Sequence, residues 1–136
     1  MNAWSAILPL FGVVVGAALQ YWLSRSAEYR KQLHLSQSQS YVDYLQAVTK
    51  AAHSKSPEAA QSAQADAADA KARMAVYGTS RVISALVRFE ETGAWLNNPR
   101  AYASFVTLVS AMRHGEGEAQ PDDLRLALFG APKDKV

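Results

Sequence analysis

The sequence predicts an all-α protein: one N-terminal transmembrane helix followed by a small cytosolic helical bundle of about five helices. Three observations predict it. An uncharged, apolar run fills Trp4 to Leu23. The remainder is rich in alanine and sparse in glycine and proline, and no Val/Ile/Thr-rich alternating segment offers a strand. Apolar residues there return every three or four positions, bounded by the residues that start and stop helices. With 136 residues, there is room for one small domain beside a membrane segment. The predicted organisation is a transmembrane helix over 1–24, a juxtamembrane helical stalk over 25–40, the bundle over 41–130 and a tail over 131–136.

About 20 helical residues reach about 30 Å, the thickness of a bilayer's hydrocarbon core. Trp4 marks one end of the run, and Tyr21 with Trp22 marks the other, where amphipathic rings settle among headgroups. A cleaved signal peptide is the rival reading, with Gly16 and Ala18 as a small-residue cleavage site. No Lys or Arg precedes the run, whereas Arg25, Arg30 and Lys31 come after it. That asymmetry favours a retained single-pass anchor with its N-terminus outside and its C-terminal side in the cytoplasm.

The run is sided. At 100° per residue, Asn2, Ser5, Pro9, Gly12, Gly16 and Gln20 share one narrow stripe, with Ile7, Phe11, Val14, Ala18 and Trp22 mostly opposite. Gly12 and Gly16 form a GxxxG, which permits close helix approach. Pro9 leaves the carbonyl of Ser5 without its helical donor, and Gln20 is costly against lipid. The stripe is read as a homo-oligomer contact or the wall of a pore. Both alternatives stay open from sequence.

Beyond the run, Tyr41, Tyr44, Leu45, Val48 and Ala52 repeat at helical spacing and are expected to face a core. The intervening "SQSQS", Ser36 to Ser40, is polar all round and reads as a solvated stalk or a frayed joint. Ser56-Pro57-Glu58 starts the next helix with a cap, a first-turn proline and an acid. Its apolar stripe is Ala60, Ala63, Ala67, Ala70, Met74 and Tyr77, which lets helices lie close. Gly78 ends it, and Thr79 or Ser80 caps a helix whose expected core face is Val82, Ile83, Leu86, Val87 and Phe89, closed by Gly93. Asn98-Pro99 opens another, burying Tyr102, Phe105, Val106, Val109 and Met112 and ending at Gly115. A polar "GEGEAQP" loop precedes a short helix over 122–129, stopped by Gly130.

No catalytic signature appears, and the chain reads as a non-enzyme without a cofactor. There is no cysteine, so thiolate catalysis, disulfides and Cys-based metal sites are excluded. His34, His53 and His114 stand in no metal-ligating spacing, so no metal is expected. The acid pairs Glu90-Glu91 and Asp122-Asp123 point about 100° apart on a helix and do not converge. No phosphate-binding glycine loop or nucleophile elbow is present. Net charge is +2 with acids and bases interspersed, which argues against duplex nucleic acid as a partner. The anion-binding candidates are Thr79, Ser80 and Arg81 at a helix start, joined by Arg100 and Arg113 near the ends of another helix. Ordinary capping explains the hydroxyls better than a ligand does, and a helix C-terminus suits Arg113 and His114.

In architecture alone, a short single-pass span with an outward N-terminus before a cytosolic helical bundle, the chain resembles small single-pass membrane effectors of bacterial anti-phage defence, in particular the Hailong-type channel-forming effector; the stretches "AVYGTSRVISAL" and "LALFG" resemble uncharacterised bacterial membrane proteins. The resemblance implies a homo-oligomer in the bacterial inner membrane, such as a tetramer, whose N-terminal helices line an ion channel. It implies that the cytosolic part binds a nucleotide oligomer from a partner nucleotidyltransferase, which holds the channel closed. No ligand residue is carried over. The alternative is a membrane-anchored adaptor whose bundle docks a protein partner.

Overall fold

A computed structural model describes residues 4–113 and 119–130, with side chains described from residue 12 onward. Among the described residues there are five α-helices and no strand: α1 Trp4–His53, α2 Pro57–Tyr77, α3 Ser80–Glu91, α4 Pro99–Met112 and α5 Pro121–Phe129. The chain divides into two compact units, Met1–Ser36 and Gln37–Val136, with α1 contributing to both. No helix among the described residues is long and apolar enough to cross a membrane. The side chains of 4–11, which begin the expected span, lie outside the described residues.

The second unit is built by local signals that the sequence states openly. Ser56 caps α2 by accepting from the Ala59 N–H at 3.2 Å, with Pro57 in the first turn. The Thr79 hydroxyl accepts from the Val82 N–H at 3.3 Å to start α3. The Asn98 carbonyl oxygen accepts from the Ala101 N–H at 2.8 Å to start α4. Gly93 and Gly130 have φ of +91° and +77°, the left-handed conformation glycine enters at least cost after a helix.

These helices close over one core. It draws Tyr41, Tyr44 and Val48 from α1, Ala70 and Met74 from α2, Val82, Leu86 and Phe89 from α3, Phe105 and Leu108 from α4, and Leu124 from α5. α3 and α4 pack as a helical hairpin, and α5 returns onto α4. Phe89 and Phe105 meet at 5.3 Å between ring centroids, and Phe129 stacks edge-on against Tyr102 at 4.7 Å. Alanine is what lets α2 approach: Ala63 and Ala70 are buried, where longer side chains would hold the helix off.

Several expectations need correction. The "SQSQS" segment is neither frayed nor fully solvated: α1 runs through it, and Gln37 and Ser40 are buried. Their polarity is tolerated because it is satisfied. The Ser40 hydroxyl donates to the Gln37 carbonyl at 2.7 Å, and the Gln37 amide donates to the Tyr77 carbonyl at 2.8 Å. Val87, expected in the core, is 51% exposed, and Ala85 takes its place because it shares the face of Val82 and Phe89. Ala52 and Tyr77 are exposed as well, while Ala47 is buried. α4 stops at Met112, and Gly115, its expected terminator, lies outside the described residues.

Candidate functional site

Two features of the described residues go unused by the core. The first is the apolar part of α1. Val13, Val14, Val15, Leu19, Tyr21, Trp22 and Leu23 are all exposed, so no face of this stretch is covered. Gly12, Gly16 and Gln20 of the predicted stripe are exposed too, and a Cβ added at either glycine would meet no atom within 4 Å. Asn2, Ser5 and Pro9 lie outside the residues whose side chains are described.

The second is a cleft between α3, α4 and α5, about 540 Å³ in volume. Arg81, Ser84 and Arg88 stand at positions i, i+3 and i+7 of α3 and line one wall. Thr107 and Ser110 of α4 line the other, Ala85 and Val106 form the floor, and Asp122 and Arg125 of α5 close the side. The three arginines are exposed, and none has an ion pair or side-chain hydrogen bond among the described residues. The exposed Ser84 is equally uncommitted there, and the Thr107 hydroxyl donates back to the Ala103 carbonyl at 3.0 Å.

Of the anion-binding candidates, only Arg81 lines this cleft. Thr79 is occupied: its hydroxyl caps α3, and its backbone N–H donates to the Tyr41 hydroxyl at 3.3 Å. Ser80 is exposed at the first position of α3, Arg100 is exposed in the first turn of α4, and Arg113 is exposed at the α4 C-cap; none is brought to Arg81 within the cleft. Sequence reasoning missed Arg88 and Arg125. The spacing of Arg81, Ser84 and Arg88 was a readable signal, whereas Arg125 joins them only through the packing of α5 on α4.

Two other sets of charged groups tie α1, α2 and α3 together. The Tyr44 hydroxyl, 1% exposed, donates to Glu90 at 2.9 Å, and Lys71 holds the other Glu90 oxygen at 3.2 Å. Burial, and then the adjacent Glu90 charge, push the Tyr44 phenol far above its ordinary range. Arg73 reaches Asp43 at 2.8 Å and Asp69 at 2.9 Å, and its hydrogen bond to Asp43 holds that carboxyl below its ordinary value. His34 and His53 are exposed and apart, and no group of residues among those described could hold a metal ion. No protein-family model, curated protein or solved structure matches the chain.

Proposed function

We propose that the chain is a self-associating inner-membrane protein whose N-terminal helices form a regulated ion-conducting pore, with the bundle on the cytoplasmic side setting its state through a bound ligand. One observation carries this reading: Val13, Val14, Val15, Leu19, Tyr21, Trp22 and Leu23 of α1 form a dense run of exposed large apolar side chains. Such a surface is suited to lipid or to other copies of the chain. The stripe of Gly12, Gly16 and Gln20, continued in sequence by Asn2, Ser5 and Pro9, supplies a distinct face on which copies pack or water is admitted. The basic residues Arg25, Arg30 and Lys31 support the cytoplasmic placement of the bundle. The likeness to single-pass anti-phage effectors supports a role as a defence effector that depolarises the cell.

Reconstitution tests it. Full-length protein in liposomes should pass ions, and Gly12→Leu or Gly16→Leu should reduce the flux to background while leaving the protein membrane-bound. Undiminished flux in both variants refutes the pore. A second reading, an anchored adaptor, draws on a groove on the bundle lined by Leu96, Tyr102, Leu126 and Leu128, where a partner's apolar side chains could dock. It is distinguished by exchanging residues 4–23 for an inert span, which an adaptor tolerates and a pore does not.

A further inference from the structure

We infer that the cleft between α3, α4 and α5 is a binding site for a small ligand bearing a phosphomonoester, held by Arg81, Arg88 and Arg125. Three observations point to this chemistry. The first is the set of three guanidiniums that stand without an ion pair among the described residues, on two helices that face one hollow. Arginine on a protein surface is usually paired or dispersed, and three around one cleft repel each other unless an anion joins them.

The second is the charge balance. Three guanidiniums against the single carboxylate of Asp122 leave a surplus of two positive charges on the described lining. A phosphomonoester carries about −1.5 to −2 near neutrality, which offsets that surplus, whereas one carboxylate leaves half of it uncompensated. Arg81 and Arg88 lie about 10 Å apart along α3, within reach of one anion between them through their long side chains. The fork of each matches phosphate oxygens in pairs. Ser84, between the two, and Ser110 across the cleft offer hydroxyl donors to the same group.

The third is the floor. Ala85 and Val106, with buried Ala111 beside them, are small and apolar, and the cleft has a volume of about 540 Å³, within the span of small-molecule pockets. This accommodates an uncharged body attached to the phosphate. An ion alone would leave it empty. The inference deepens the proposed ligand control of the bundle and rests on that reading only for its consequence, since binding itself needs no pore.

Calorimetry on the full chain tests it, in detergent and then in nanodiscs of phosphatidylcholine with and without phosphatidic acid. The soluble probes are phenyl phosphate and inorganic phosphate. Phenyl phosphate should bind, and more tightly than inorganic phosphate because its ring covers the floor. The phosphatidic acid arm reveals whether the phosphomonoester is drawn from a lipid headgroup instead. Arg81→Glu, Arg88→Glu and Arg125→Glu should each weaken binding about tenfold or more, the worth of one charge-assisted contact. Arg100→Glu makes the same charge change outside the cleft and should leave affinity unaltered. All four residues are exposed, and an unchanged helical spectrum and melting temperature confirm that each variant folds. The inference is overturned by an equal loss in Arg100→Glu, by cleft variants that bind like the parent, or by no binding in either arm. Because no step reads ion flux, failure of the pore leaves these outcomes unchanged.

Discussion

Gly78→Ala is expected to destabilise the bundle, although nothing in the backbone conformation forbids alanine there. Gly78 has φ −71° and ψ 149°, an extended geometry open to any residue. On backbone entropy alone, replacing glycine would stabilise by about 0.4–1 kcal/mol. The obstacle is space. A Cβ at this position collides with the carbonyl oxygen of Met74 and presses on Ile83 Cδ1 at 3.1 Å. Ile83 is a flexible side chain end and can turn away. The Met74 carbonyl is backbone: it accepts the Gly78 N–H at 2.7 Å, and the Met74 side chain is fully buried. Relief therefore means shifting the end of α2, at an overpacking cost of about 1–3 kcal/mol. Loss of the cap hydrogen bond adds about 0.5–1.5 kcal/mol. The steric terms win, leaving a net loss of about 0.5–4 kcal/mol, or a drop of about 2–20 °C in melting temperature for a domain of this size. Thermal unfolding followed by circular dichroism measures it. Gly93 provides the contrast, since open space surrounds it and only its φ of +91° resists a side chain. Asparagine, which enters the left-handed region more readily than alanine, should thus be better tolerated at 93 than alanine, and no better at 78. A melting temperature for Gly78→Ala at or above the parent's would refute the reasoning.

The charged contacts set two more expectations. Tyr44→Phe removes the hydrogen bond to Glu90 but strands no group, because Glu90 keeps Lys71 and is about a third exposed. The cost should be about 0.5–1.5 kcal/mol in denaturant unfolding, and a loss above about 3 kcal/mol would show that the phenol organises more than one contact. Asp43→Asn addresses acid stability. The folded carboxyl is held below its ordinary 3.8, so its contribution is complete above that pH and disappears as pH falls through the folded value. The variant should lose part of the stability difference between neutral and strongly acidic solution; an unaltered acid limb would mean that the Asp43–Arg73 contact is screened away, as surface pairs often are.

What the sequence disclosed, and what it withheld, divides by distance along the chain. The starts of α2, α3 and α4 were legible in Ser56, Thr79 and Asn98, because a cap acts on N–H groups only two or three residues away. Most of the core was legible too, since Ala63, Ala70 and Met74, Phe89, and Phe105 each fall on the periodic apolar stripe of their own helix. The burial of Gln37 and Ser40 was not. Polarity argues for solvent until a partner is known, and for Gln37 that partner is a carbonyl 40 residues away. Arg125 was hidden for the same reason: its place beside Arg81 and Arg88 is set by how α5 lies on α4, which no local pattern encodes.

The hydrogen bonds at the α2–α3 corner have a consequence for the register of the bundle. Gln37 holds the carbonyl of Tyr77 and Tyr41 holds the N–H of Thr79, so two residues one helical turn apart on α1 grip neighbouring backbone groups of a single bend. Apolar packing alone tolerates a helix that slips by a residue or rolls a few tens of degrees; directional bonds to backbone do not. A slip of one position carries both donor and acceptor about 100° around the helix and leaves two polar groups of the bend unanswered. Gln37 and Tyr41 thereby index α1 against the bend that begins the arginine wall, much as a lone buried amide fixes alignment in a coiled coil.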